Sequence, residues 1–251
     1  MPGDADKNLH LVNRFIGWGD PKNSLWFVGL EESEKFDREY LEILKVRQQS
    51  FHSAYGTTGE LYWQTADMMA SEAKAKPENR RPIRKLGRAE ARIRWELDRE
   101  PVSNDRLDEY AADQLWRAHT FHCNLYTLGY QRRKEFPSEY AELFGLKCSS
   151  DQKLKEAQAE RHRWLRELVG QSLPAAILCL GLQSEEHFAS LLGLLTKDEK
   201  PEPRLLGWGR RISIYRSKTA RAIVMTHLSW ASRQTQRDVI AILRDEWAVS
   251  L

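Results

Sequence analysis

The apolar positions of this chain gather into four short runs separated by longer stretches of helical spacing. Leu25–Val28, Ala118–Cys123, Ala175–Leu180 and Ala222–Met225 are too short for helices and rich in aliphatic or β-preferring residues, so they read as buried strands. Ala118–Cys123 has the weakest pattern, because His119 and His122 interrupt it. Between the runs the period changes. Phe36, Tyr40, Ile43 and Leu44 recur at helical spacing after the first run, and Leu107, Tyr110, Ala111 and Leu115 do so before the second. Asp151–Val169 reads as a charged helix that Ser149, Ser150 or Asp151 caps and Gly170 is placed to end. Phe188, Leu191, Leu192 and Leu195 form a further helical stripe. Ile212–Tyr215 and Arg221–Met225, with Lys218 between them, offer a second arrangement, a terminal hairpin leading into the last strand.

Strand alternating with helix predicts an α/β fold, a doubly wound three-layer α/β/α sandwich around a central, mainly parallel four-stranded sheet. The chain has 251 residues, 41% of them apolar, and nine tryptophans, which suffices for a single domain over 1–251 with a substantial core. The stretch from about 73 to 113 departs from the alternation. It holds Pro77, Pro82 and Pro101 and packs seven Arg or Lys between Arg80 and Arg94. It reads either as a charged helical insertion or lid, or as the solvated surface of a helix.

Charge sharpens the picture at one place. From Pro203 to Arg237 the chain runs 35 residues without an acid while holding eight Arg and Lys, although the whole chain carries only +3. A local basic face attracts phosphates even on a nearly neutral molecule. Other classes drop out. No run approaches the roughly 18–20 apolar residues of a membrane span, and the opening MPGDADKNLH lacks a signal peptide's apolar core, so a cytoplasmic protein without a membrane partner is expected. Cys123, Cys148 and Cys179 are odd in number and far apart, fitting neither a disulfide framework nor a metal site, so no metal or cofactor is expected. Neither GxxxxGK[ST] nor a GxGxxG after the first strand is present.

In a doubly wound sheet ligands bind beyond the carboxyl ends of the strands. The residues there are Gly29-Leu30-Glu31-Glu32-Ser33, Asn124-Leu125, Gly181-Leu182-Gln183 and His227-Leu228-Ser229. Two carboxylates, an amide and an imidazole thus converge on one cleft. Each also has a plainer reading: a helix-capping acid, a turn asparagine, a structural histidine.

The order of these segments resembles the uracil-DNA glycosylase superfamily. WFVGLEES (Trp26–Ser33) is similar to that superfamily's first motif, and YGTTGELYW (Tyr55–Trp63) to the glycine-bearing loop that follows it. HCNL (His122–Leu125) resembles the strand ending in a base-reading Asn, and ILCLGLQSEEHF (Ile177–Phe188) the LGxxA turn. THLSW (Thr226–Trp230) resembles the HPS motif. The resemblance implies that Glu31, or Glu32 after a one-residue shift, activates the hydrolytic water and stabilises the charge developing on the sugar. It implies that Asn124 reads a flipped pyrimidine and that His227 donates a hydrogen bond to the leaving base. Ser229 would bind a phosphate, Trp230 would fill the gap left by the extruded base, and Arg210, Arg211, Arg233 and Arg237 would contact phosphates. A monomer acting on DNA is implied.

The chain departs from the pattern at Leu228, which replaces the Pro of HPS, and at Glu32-Ser33, which replace a Pro-Gly. Ala54 stands where relatives carry a stacking Phe; either Tyr55 or Phe51 substitutes for it, or the pocket is wider than one built for uracil. A wider pocket suits a bulky modified pyrimidine, such as the hydroxymethylcytosine derivatives of some phage DNA, and hence an anti-phage defence enzyme. The alternatives are uracil excision in repair, a non-catalytic DNA-binding module of the same fold, and an unrelated enzyme acting on a small phosphate compound.

Overall fold

The computed structural model describes residues 4–14, 17–18, 21–22, 24–30, 85–113, 120–126, 128, 136–193, 201–217 and 220–249. In chain order these form helix α1 (Asp4–Arg14), strands β1 (Gly17–Trp18) and β2 (Leu25–Gly29), and helices α2 (Lys85–Asp98) and α3 (Asn104–Asp113). Next come β3 (Thr120–Asn124), α4 (Glu139–Phe144), α5 (Gln152–Ser172), β4 (Ala176–Leu180) and α6 (Glu185–Leu191). The chain closes with β5 (Glu202–Leu206), β6 (Arg210–Arg216), β7 (Arg221–Met225) and α7 (Arg233–Ala241).

The strands make one seven-stranded sheet in the order β1-β3-β2-β4-β7-β6-β5. The central four, β3, β2, β4 and β7, are parallel and coincide with the four apolar runs. The four-stranded sheet expected from those runs is therefore extended by three antiparallel strands, β1 on one side and β6 and β5 on the other. The added strands lacked the signal of buried parallel strands, which are apolar on both faces. β1 has two residues, and β5 carries exposed Glu202 and Pro203, the chemistry of a protected edge. The hairpin of β6 and β7 also forms, so β7 belongs both to it and to the parallel centre.

Alternate side chains of the central strands feed two cores. Trp26, Val28, Phe121, Cys123, Ile177, Cys179 and Val224 pack with Leu165, Leu168 and Val169 of α5 and Phe188 of α6. Leu25, Phe27, Leu178, Leu180, Ile223 and Met225 pack on the opposite face with Ala89, Ile93 and Leu97 of α2 and Val239 and Ile240 of α7. Helices thus cover both faces of the sheet. The described part of the arginine-rich segment, from Lys85 on, supplies one of them: α2 is no solvated arm, since Ala91 and Ile93 are fully buried. Arg92 pairs with Glu96 at 3.0 Å, and Arg94 Nε donates to the Tyr110 hydroxyl at 2.7 Å.

Asp151 caps α5, accepting from the Lys153 amide, as one of the three candidates required. Gly170 does not end the helix, which continues to Ser172. The stop comes from Pro174, which disfavours helical geometry at the preceding Leu173; Leu173 is left-handed, at φ 48°. A helical glycine costs about 1 kcal/mol, and the neighbouring buried Leu168 and Val169 offset it.

Candidate functional site

Parallel pairing brings the carboxyl ends of the central strands level. Gly29 is the register partner of both Asn124 and Leu180, and Leu180 pairs with Met225. Backbone bonds carry the alignment past the strands: Leu125 donates to the Gly29 carbonyl at 3.0 Å, Tyr126 to that of Leu30 at 2.9 Å, and Gly181 to that of Met225 at 2.8 Å. β2 is flanked by β3 on one side and β4 on the other. The chain therefore reverses its winding there, which is the place where doubly wound sheets offer their ligand crevice.

Asn124 stands at this crevice. Its amide lies across β2, so close to Gly29 that a Cβ there would sit 2.1 Å from Asn124 Oδ1. Only glycine leaves that space. From beneath, α5 holds the same residue: buried Arg161 donates through Nε at 2.9 Å and Nη2 at 2.8 Å to the Asn124 carbonyl, and through Nη1 at 3.1 Å to that of Asn13. A Gly29→Ala variant is expected to fold while turning the Asn124 amide out of its position. A crystal structure of the variant checks this, and an unmoved amide would disprove it.

His227 and Ser229 lie where β7 turns into α7. The Ser229 amide donates to His227 Nδ1 at 3.4 Å, and Ser229 Oγ lies 2.7 Å from the same nitrogen. A backbone N–H can only donate, so Nδ1 is the acceptor and the neutral imidazole carries its proton on Nε2. Ser229 thereby sets the tautomer of His227. Trp230, the next residue, is 77% exposed. Three strand spacings separate the end of β3 from the end of β7, about 14 Å at roughly 4.8 Å each.

The basic segment is acid-free only along the chain. In space Arg204 bonds to Glu202 and Glu246, and Arg216 bonds to the same two carboxylates. Arg216 pairs with Arg221, at the amino end of β7, so it lies at the opposite end of the sheet from Asn124 and His227. Arg210 pairs with Leu206 beyond the carboxyl end of β7, at the crevice end. There, Arg210 and Arg237 are exposed with no carboxylate partner among the described residues, and Arg233 bonds to Asn104 Oδ1 at 2.7 Å. Arg211 instead meets Glu185 at 3.5 Å. Strand alternation puts Arg210 on the face of Ile212 and Ile214, with α7, and Arg211 on the face of Tyr215, with α6.

Of the residues expected at the site, Asn124, His227, Ser229, Trp230, Arg210, Arg211 and Arg233 share this end of the sheet, and Arg237 lies one turn farther along α7 from Arg233. Glu31, Glu32, Phe51, Ala54 and Tyr55 lie outside the described residues. Sequence reasoning missed Arg161, the glycine cradle at Gly29, and Asn104, whose amide oxygen receives both Arg92 at 3.0 Å and Arg233. Arg161 did leave a signal. It falls in phase with Leu154, Leu165 and Leu168, an arginine on an apolar stripe.

His162, the next residue of α5, packs edge-on against Tyr126 with ring centroids 5.5 Å apart. Burial and the neighbouring Arg161 cation lower its pKa from 6.5 to about 4. Its Nε2 is buried without a partner among the described residues, so an added proton would find no acceptor. The unfolded chain therefore binds more protons between these values. The stability His162 contributes is complete above pH 6.5 and is lost as pH falls towards about 4. Melting curves of the wild type are expected to show this loss, and a His162→Gln variant to show less of it; identical pH dependence would refute the assignment.

Among the described residues no helix is long and apolar enough to cross a membrane, and no group of three or more His, Cys, Asp or Glu could hold a metal ion. No protein-family model matches the chain, and no curated protein matches it significantly.

Proposed function

We propose that this chain is a monofunctional DNA glycosylase resembling the uracil-DNA glycosylase superfamily. It would hydrolyse the N-glycosidic bond of a flipped, modified pyrimidine and leave an abasic site. The observation that carries the reading is the placement, at one end of a parallel sheet, of a cradled amide and an imidazole whose Nδ1 accepts from the Ser229 amide. Asn124 offers the paired donor and acceptor that a pyrimidine edge requires. His227 Nε2–H supplies the donor that the leaving base needs as negative charge accumulates on it.

Glu31, directly after Leu30, activates the water in this reading, with Glu32 as the neighbouring candidate. The mechanism invokes no metal and no lysine Schiff base. Trp230 enters the duplex as the base leaves it, and Ser229 contacts a phosphate while its amide holds His227. The enzyme acts as a cytoplasmic monomer. The altered HPS-like turn, with Leu228 in place of Pro, and Ala54 in place of the stacking Phe favour a bulky base such as a hydroxymethylcytosine derivative over uracil.

Incubation with DNA containing modified cytosines, with uracil DNA and with unmodified DNA, followed by detection of abasic sites, tests this directly. Abasic sites are expected only in the modified DNA; release of uracil alone would remove the specialised reading, and no release from any DNA would leave a binding module. DNA affinity is expected to fall steeply with salt. Arg210→Ala should lower the slope of log affinity against log salt by about 1. Arg211→Ala should lower it less, because Glu185 already engages Arg211.

A further inference from the structure

We propose that Arg161 and His162 of α5 are the positioning residues of the site, a clamp that sets the direction in which Asn124 presents its amide. Three observations converge. The peptide at the exit of β3 is held on both sides: Gly29 and Leu30 take the Leu125 and Tyr126 amides, while Arg161 takes the Asn124 carbonyl and the His162 ring packs edge-on against Tyr126. Arg161 is 3% exposed and occupies an apolar-phase position where a leucine would pack. A buried guanidinium is costly unless its donors are met, and here two of them converge on one carbonyl. Finally, the side chain of the residue that carries this backbone carbonyl lies over the one β2 residue with no Cβ to obstruct it.

The clamp works through Asn124 and touches no substrate. With the peptide held, the direction of the Asn124 Cα–Cβ bond is fixed, and the missing Cβ at Gly29 leaves room for the amide where it lies. Preorganisation of this kind governs rate more than binding, since displacement by about 1 Å costs up to roughly 100-fold in rate. The affinity for DNA rests mainly on phosphates and is unaffected. This catalytic consequence rests on the glycosylase reading; the placement of Asn124 does not.

The test uses the full chain labelled with ¹⁵N at its six asparagines, in wild type, Arg161→Met, Arg161→Lys and His162→Gln, with the Asn124 side-chain resonance assigned by its loss in Asn124→Asp. The Asn124 amide is expected to shift and broaden in Arg161→Met, recover in part in Arg161→Lys, and shift in His162→Gln, while Asn8 and Asn104 stay in place. Single-turnover base release should fall 10- to 100-fold in Arg161→Met with DNA affinity within twofold of wild type. An unmoved Asn124 resonance in folded Arg161→Met overturns the clamp even if the wild type releases base. If Arg161→Met does not fold, Arg161→Lys and His162→Gln decide by the same criterion. A wild type that releases no base, with Asn124 moving as expected, overturns the glycosylase reading and leaves the clamp standing.

Discussion

Replacing His227 with asparagine is expected to slow base release by about 100- to 1,000-fold while leaving the fold and DNA affinity nearly unchanged. The substitution separates the two nitrogens of the ring. Nδ1 accepts from the Ser229 amide and so caps the turn Leu228–Trp230. The Asn side-chain oxygen reproduces that acceptor, as asparagine does at helix starts generally. Nε2, which carries the proton, has no counterpart in asparagine. A purely structural histidine would therefore be replaced at little cost, whereas one that donates to the departing base would not. Single-turnover kinetics with a releasable base, set beside melting temperature, distinguish the two. Unchanged kinetics would remove His227 from the mechanism.

The second large effect concerns stability. Ile93→Ala is expected to destabilise the protein by about 2–5 kcal/mol, out of a total that for most domains is roughly 5–15 kcal/mol. Ile93 is fully buried and packs with Leu25, Phe27 and Leu178 of the sheet and Val239 of α7. Its loss would leave a cavity under the centre of one face. Lys85→Ala, at an exposed position of the same helix, is expected to stay within about 0.5 kcal/mol of wild type. Urea unfolding midpoints at constant slope measure both. Equal small effects would mean that α2 is a removable lid.

The case of α2 shows where sequence reasoning stops. Seven Arg and Lys in fifteen residues look like a solvated surface. Within the described part of this run, Arg92 and Arg94 are buried instead, with Glu96 and Asn104 beside Arg92 and Tyr110 beside Arg94. These partners come from the next turn of α2 and from α3. The basic run 203–237 failed in the opposite direction. It looks uniformly cationic, yet Glu202 and Glu246 lie just outside it in sequence and neutralise Arg204 and Arg216. Folding polarises the segment, leaving exposed Arg210 and Arg233 at the crevice end.

Local pattern by itself determined the four parallel strands, the helix begun by Asp151, and the presence of Asn124 and His227 at strand ends, because burial on both faces and capping are written into short stretches of chain. The order of strands, their register and the facing of helix on sheet were decided only by the tertiary structure, because hydrogen bonds between strands join residues far apart in sequence. The pairing of Gly29 with Asn124 across 95 positions is such a case. Neither residue is unusual alone, and only their register turns a glycine into the space that an amide occupies, with Arg161 beneath it.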